Sequence, residues 1–438
     1  MTSGLEETLP PLSEHEAVLE AHRCLYCYDA PCTHACPTHI DVPRFIKKIS
    51  TGNLTGAARA IFDANLLGAT CARVCPVQEL CEGACVLGAD HKPIMIGRLQ
   101  RYAMDHVYGR KVNVIAIAES TGKSAAVVGA GPAGLSCAGE LARRGHSVTI
   151  FEKRELGGGL STYGIIGLRE PLEAALVEVK MIEGLGVRIE TNAELGRNLD
   201  LADLRARFDA VFLGLGLGAT PGMSIPGEEL IVDGLYYIEQ SKMNGGGMKI
   251  GKNAVVIGAG NTAIDCAVIA RRLGGGRVTM VYRRSAEEMT AYEHEYEFAR
   301  KEGVEFRFLT QPVRVLSENG RVIGLHCVRT ELGPPDASGR RAPRSVPGSE
   351  FTICADQVVK AVGQEKPDLA SRLGLATLHG YLKVDHDFET NIPGVYAGGD
   401  CIRAINSAST VMAVQDGKLA AMAIHRRTMS NGEAKTGG

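Results

Sequence analysis

The sequence carries almost no net charge: 48 basic residues against 50 acidic ones leave a formal charge of −2 over 438 residues. That excludes the basic footprint by which a nucleic-acid binder is recognised. No run approaches the about 18 apolar residues that span a bilayer. The opening stretch, MTSGLEETLPPLSEHEAV, is acidic and lacks the apolar centre of a secretory signal. No membrane partner is expected, and a cytoplasmic location is. Cysteine is scarce through most of the chain, since only five of the 13 lie beyond residue 85. No cysteine pair accompanies either of the glycine motifs described below, which argues against a self-contained disulfide relay. Glycine is plentiful, at 53 residues, without a collagen-like period. The length suits two or three domains with sizeable cores.

The other eight cysteines crowd into residues 24–85. CLYCYDAPCTHACP places Cys24, Cys27, Cys32 and Cys36 in a C-x2-C-x4-C-x3-C-P run. CARVCPVQELCEGAC places Cys71, Cys75, Cys81 and Cys85 in a C-x3-C-P-x4-C-x3-C run. In a reducing compartment such clusters are metal ligands more often than disulfides. Structural zinc favours paired C-x2-C knuckles, and only one C-x2-C is present. Soft thiolates and Cys-Pro steps match iron–sulfur runs instead, and eight thiols would suffice for two cubane clusters. Between the runs, DVPRFIKKISTGNLTGAARAIFDAN reads as two short helices around STGNLTG. The head is therefore expected to be an all-helical iron–sulfur domain over residues 1–118. His34 and His39 read as hydrogen-bonding or solvent-facing residues rather than ligands.

From residue 123 the character changes. KSAAVVGAGPAGLSCAGELARRGHSVTIFEK reads as strand, glycine turn, helix and second strand. Gly129, Gly131, Pro132, Ala133 and Gly134 would bring a helix N-terminus to a pyrophosphate, and Glu152, followed by Lys153, would accept the ribose hydroxyls. The pattern recurs in KNAVVIGAGNTAIDCAVIARRLGGGRVTMVYRR, with Gly258, Gly260, Asn261, Thr262, Ala263 and Asp265. Here the second strand ends in Arg283 and Arg284 instead of an acid. Guanidinium forks match a 2′-phosphate, which favours NADPH, although stacking on adenine would also accommodate NADH. Near the end, IPGVYAGGDC brings Gly399 and Asp400 to a ribityl–pyrophosphate region. A helix starting at Ser409 and Thr410 would point at a flavin. Gly159 and Leu160 complete the expected FAD contacts. No catalytic acid or base is assigned.

Two dinucleotide sites imply a shuttle, with FAD in the first and NADH or NADPH in the second. The expected fold is α/β: two Rossmann-like domains of the FAD/NAD(P) disulfide-reductase type, the second inserted in the first. The boundaries are 119–245 with 364–438 for FAD and 246–363 for NAD(P)H. The stretch 332–349 is expected to be a solvated loop on a hairpin excursion, and the tail from Met429 to be disordered. Cys137, Cys266, Cys327 and Cys354 read as core or strand residues, and Cys401 as a neighbour of the flavin.

CLYCYDAPCTHACPTHIDVPRFI, NLLGATCARVCPVQELCEGACVLG, IGRLQRYA and GLSTYGI together resemble the small subunit of NADPH-dependent glutamate synthase and its relatives. Within that group they are most similar to dihydropyrimidine dehydrogenase. The resemblance implies one [4Fe-4S] cluster on Cys24, Cys27, Cys32 and Cys85. It implies a second on Cys36, Cys75, Cys81 and the amide oxygen of Gln100, leaving Cys71 a spare. This differs from the run-by-run grouping of eight thiolates, and spacing alone does not choose between Gln100 and Cys71. The resemblance further implies a separate partner: an FMN-containing (β/α)8-barrel subunit (PreA-like) with a ferredoxin-like domain and further [4Fe-4S] clusters. There uracil or thymine would be reduced, in a heterodimer or heterotetramer. A glutamate synthase small subunit is the alternative.

Overall fold

The computed structural model describes residues 6–245, 247–335, 341–366, 369–403 and 409–433. The chain divides into two compact units. The larger holds residues 9–162, 172–217 and 366–438; the smaller holds 1–8, 163–171 and 218–365.

The larger unit begins with the helices Glu14–His22, Pro31–Ala35, Val42–Ser50, Leu54–Phe62, Gly68–Val74 and Ile96–Gly109. Their starts are written locally. Ser13 and Glu16 form a capping box, Asp41 accepts the Arg44 N–H, and Asn53 accepts the Gly56 N–H. Phe45, Ile46, Ile49, Ile61 and Leu99 are fully buried, each contributing about 1.5–3 kcal/mol. Their core continues into Leu135, Leu141, Ile150 and Val414 of the following α/β fold. The head expected to stand as its own domain over 1–118 therefore shares one core with the flavin fold.

That fold is a five-stranded sheet in the order Val395–Ala397, Ala210–Leu213, Ser124–Val128, Ser147–Glu152, Arg188–Thr191. All of its pairings are parallel. The helices Pro132–Ala142 and Thr410–Glu433 pack on it and on each other. The strand order reverses beside Ser124–Val128, the switch point at which such sheets bind ligands. The Thr410–Glu433 helix also runs through Met429 and Ser430, whose hydroxyl donates to the Arg426 carbonyl. The expected disorder therefore does not begin at 429; residues 434–438 lie outside the described residues.

The smaller unit repeats the architecture. Its parallel sheet runs Val232–Asp233, Gln357–Lys360, Asn253–Ile257, Arg277–Val281, Glu305–Arg307. Val232–Asp233 and the helix Gly234–Met243 belong to this fold, so the unit's main segment begins at 218 rather than at the expected 246. An antiparallel sheet of Thr310–Glu318, Arg321–Pro335, Arg341–Ser345 and Phe351–Cys354 accompanies it. Among its described residues, the expected solvated loop at 332–349 is ladder over 332–335 and 341–345. Leu332 pairs with Pro343, and Pro335 with Arg341, across a register shift. Polar strands exposed on both faces carry no apolar alternation, which is why the pattern reads as loop. Residues 336–340 lie outside the described residues. Among the described residues no helix is long and apolar enough to cross a membrane.

Candidate functional site

In the larger unit the first strand ends at Val128 and the chain turns through 129–131 into the Pro132–Ala142 helix. Gly131 is its N-cap, and no side chain caps the helix. Its first N–H groups are thus left for an anion. A Cβ on Gly134 would lie 1.9 Å from the Gly129 carbonyl, so helix and turn approach too closely for any side chain. Glu152 is buried and already oriented: its carboxylate accepts the Ala130 N–H at 2.7 Å and the Arg154 N–H at 2.9 Å. Opposite Gly131 stands Gly159, in the left-handed region at φ 57°, where a Cβ would meet the Gly131 Cα at 2.7 Å. The two turns form a cradle that side chains would fill, and a dinucleotide fits it. Ala133 is buried, Pro132 half-buried, and Lys153 and Leu160 exposed.

Gly399 closes the same region, its absent Cβ 3.0 Å from that of Ala133. Its N–H donates to Asp416 at 3.0 Å. Asp416 is fully buried and paired with Arg403 through both oxygens. Asp400 is half-buried; burial raises its pKa, Asp416 adds to this and Arg403 opposes it. Ser409 precedes the long helix, its hydroxyl accepting the Met412 N–H and its carbonyl that of Ala413, and Thr410 is the first helical residue. Cys401 is fully buried in the apolar core.

In the smaller unit Gly258 and Gly260 lead into the Asn261–Arg272 helix, again without a side-chain cap. Asn261 accepts the Tyr292 N–H at 3.1 Å, Thr262 is half-buried and Ala263 fully buried. Arg283 is exposed and Arg284 half-buried. Their carbonyls are held by Thr330 and Leu309, while neither guanidinium has a carboxylate partner among the described residues. Asp265, expected at the nucleotide, is committed elsewhere. It is buried and accepts from Arg169 Nε at 2.8 Å, and Arg169 also clamps Glu295. Burial pushes Asp265 up to about 6. Against burial, His294 and Arg169 hold Glu295 at about 2.

Cys24, Cys27, Cys32 and Cys85 line one pocket, walled by Ala30, Pro31, Val42, Ile46, Ile94 and Ile96. The two cysteine runs are therefore interleaved: the last cysteine of the second joins three of the first. Burial raises the Cys32 thiol to about 11, with Cys24 and Cys85 adding to the effect. The thiols stand around a cavity wall rather than at one point; among the described residues no three His, Cys, Asp or Glu groups converge as a single metal ion needs. An apolar, thiol-lined cavity fits an iron–sulfur cluster. Cys75 is raised well above the usual value by a hydrogen bond with Cys71, by burial, and by Cys81 and Cys36 nearby. That gathers the remaining four thiols. Gln100 is buried, its Nε2 donating to the Gly68 carbonyl at 2.7 Å at the start of the helix that bears Cys71 and is C-capped by Cys75. His34 is exposed and pairs with Asp29 at 2.5 Å.

Spacing does not single out Asp416, Glu178, Lys418 or Arg169. Glu178, of the Leu172–Glu183 helix, accepts the Ala69 and Thr70 N–H groups at 2.7 and 3.0 Å. For Asp416, Glu178 and Lys418 the one available hint is a charge within a mostly apolar helix; Arg169 lies in a turn, and nothing local marks it.

Residues 2–112 match the family described as dihydropyrimidine dehydrogenase domain II, 4Fe-4S cluster, and residues 123–417 match the pyridine nucleotide-disulphide oxidoreductases. The glutamate synthase [NADPH] small chain of Escherichia coli (strain K12) is 36% identical over 442 residues, covering 95% of this chain and 92% of that one. The NAD-dependent dihydropyrimidine dehydrogenase subunit PreT of Salmonella typhimurium is 33% identical over 425 residues, 96% of each. Mycobacterium tuberculosis FprA in complex with NADPH shares the fold at a TM-score of 0.58 and 20% identity, over 72% of this chain and 86% of that one. With likeness running along nearly the whole of both curated relatives, the chain belongs to the pyridine nucleotide-disulphide oxidoreductases, as an FAD- and NAD(P)H-dependent, iron–sulfur-bearing electron-transfer protein of the group that includes the glutamate synthase small chain and PreT.

Proposed function

We propose that this chain is the electron-input subunit of a dihydropyrimidine dehydrogenase. It would oxidise NADH or NADPH at FAD and pass electrons through two [4Fe-4S] clusters to an FMN- and iron–sulfur-containing (β/α)8-barrel subunit that reduces uracil or thymine. The observation that carries the electron-input role is the cavity lined by Cys24, Cys27, Cys32 and Cys85, in the same compact unit as the flavin-fold glycines. When bound, FAD supplies hydride acceptance and the clusters one-electron relay. The chain's own residues hold and orient these groups. The uncapped helix start at Gly131 binds pyrophosphate, Glu152 the ribose, and Arg283 and Arg284 the 2′-phosphate or adenine of the incoming nucleotide. The pyrimidine assignment rests on the GLSTYGI run and the form of the head. A heterodimer or heterotetramer with the barrel subunit follows from it.

A second reading, the glutamate synthase small subunit, is favoured by the 36% identity to that relative against 33% to PreT. Anaerobic turnover with a barrel partner separates them, followed at 340 nm with uracil and with glutamine plus 2-oxoglutarate. Uracil-dependent oxidation is the expected result. Dye reduction alone, with an FMN-loaded barrel partner present, would leave only the electron-input role. The ligand sets make a further prediction, read by iron content and electron paramagnetic resonance (EPR). Cys85→Ala should lose one cluster, Cys71→Ala neither, and Gln100→Ala should alter only the signal of the second. Loss of iron in Cys71→Ala with no change in Gln100→Ala would return Cys71 to the ligand set.

A further inference from the structure

Lys418 lies in the Thr410–Glu433 helix of the flavin fold, yet its ammonium is bound by the cysteine-rich head. It donates to the Thr38 carbonyl at 3.0 Å and to the Ala64 carbonyl at 2.9 Å. Thr38 is fully buried, and its hydroxyl stands 3.4 Å from Cys36 Sγ. Asn65, next to Ala64, is also buried. Its amide lies 3.5 Å from the Thr38 hydroxyl, and its carbonyl oxygen accepts the Leu67 N–H. Leu67 is the N-cap and Cys75 the C-cap of the helix that carries Cys71. One half-buried cation thus supports both approaches to the second group of cysteines. Glu140 is the nearby acid, but Arg143 and Arg144 already pair with it, so the local balance stays positive. Burial lowers the Lys418 pKa, while Glu140 and Cys36 act in the opposite sense.

We infer that Lys418 is a positioning residue that sets the reduction potential of the cluster held by Cys36, by fixing a positive charge behind the turn from Cys36 to Thr38. The inference rests on the cluster assignment proposed above. Reduction adds one electron, and so one negative charge, to the cluster. A cation nearby, half-buried and so only partly screened by water, favours that reduced form over the oxidised one. Removing the charge makes the cluster harder to reduce, whereas keeping the charge and changing the shape does not.

The test is an EPR-monitored redox titration of the full chain, loaded with FAD and iron, for Lys418→Gln, Lys418→Met and Lys418→Arg. Glutamine can still donate to the Thr38 and Ala64 carbonyls, so it separates charge from hydrogen bonding. Lys418→Gln should lower the reduced-to-oxidised ratio of the Cys36-dependent cluster about tenfold at fixed potential, which is 59 mV for a one-electron couple. The other cluster should hold its potential, and Lys418→Arg should behave as the unmodified chain. An unmoved potential in a fully loaded Lys418→Gln protein would overturn the inference, as would equal shifts in both clusters. Loss of the cluster from both neutral variants would also overturn it, in favour of a purely structural anchor. Cys36→Ala with both cluster signals intact would instead remove the cluster assignment itself.

Discussion

The glycine turns at 129–134 and 258–263 are one strand–turn–helix unit used twice, and two of their differences bear on what each can bind. At the third small position the first turn has Gly134, where a Cβ would strike the Gly129 carbonyl at 1.9 Å; the second has Ala263, fully buried and accommodated. At the end of the following strand the first has Glu152, 6% exposed and held by two backbone N–H groups. The second has Arg283 and Arg284, with no carboxylate partner among the described residues. The first turn is tightly packed and its acid is held by the backbone, as suits a resident cofactor. The second offers free cations, as suits a ligand that comes and goes. Elsewhere the two copies use one device. Asp209 accepts the Ser124 N–H at the start of one central strand, and Asp356 accepts the Lys252 and Asn253 N–H groups at the start of the other.

The largest effect should come from erasing the first difference. Gly134→Ala should cost about 1–3 kcal/mol by overpacking and yield protein without flavin. Ala263→Gly should cost only about 0.5–1 kcal/mol. Melting temperature and the visible flavin absorbance report both, and a flavin-loaded Gly134→Ala protein would break the comparison. Next is the charge at the strand end. Replacing Arg283 and Arg284 by alanine should raise KM for NADPH about 100-fold, the scale of one or two lost charge-assisted hydrogen bonds, and that for NADH less than about threefold. Equal changes would assign the arginines to adenine alone. The smallest effect belongs to the smaller unit's Glu228. Its Lys360 partner at 2.8 Å and the N–H groups of Met223 and Ser224 bring its pKa from 4.5 to about 2. A depressed carboxyl stabilises the fold above its ordinary pKa and loses that contribution as pH falls from about 4.5 toward 2. Lys360→Met should therefore lower the melting temperature near neutrality by less than about 2 °C. The difference from the unmodified chain should shrink across that window, with flavin fluorescence unmoved.

Periodicity and motif spacing made both Rossmann-like units legible, because strand, glycine turn and helix are local. Boundaries were less so. Val232–Asp233 is two residues long, and only its pairing with Gln357–Lys360 assigns it to the second sheet. The interleaving of Cys85 with Cys24, Cys27 and Cys32 is a tertiary fact; spacing favours grouping each run by itself, and only the resemblance pointed the other way. Asp265 misled for a related reason. An acid one turn into a nucleotide-binding helix reads as a ligand contact, and nothing local announces that Arg169, 96 residues earlier, will claim it.

The chain path gives that arginine a consequence for modularity. Residues 163–171 belong to the smaller unit although their neighbours on both sides belong to the larger. A gene fragment cut at 218 and 365 would look like a self-sufficient cassette and would omit Arg169. Asp265 and Glu295 would then face each other buried and without their shared cation, a far costlier state than the paired one. Any transplant of this cassette into another scaffold must carry the nine-residue stretch with it, or neutralise one of the two acids.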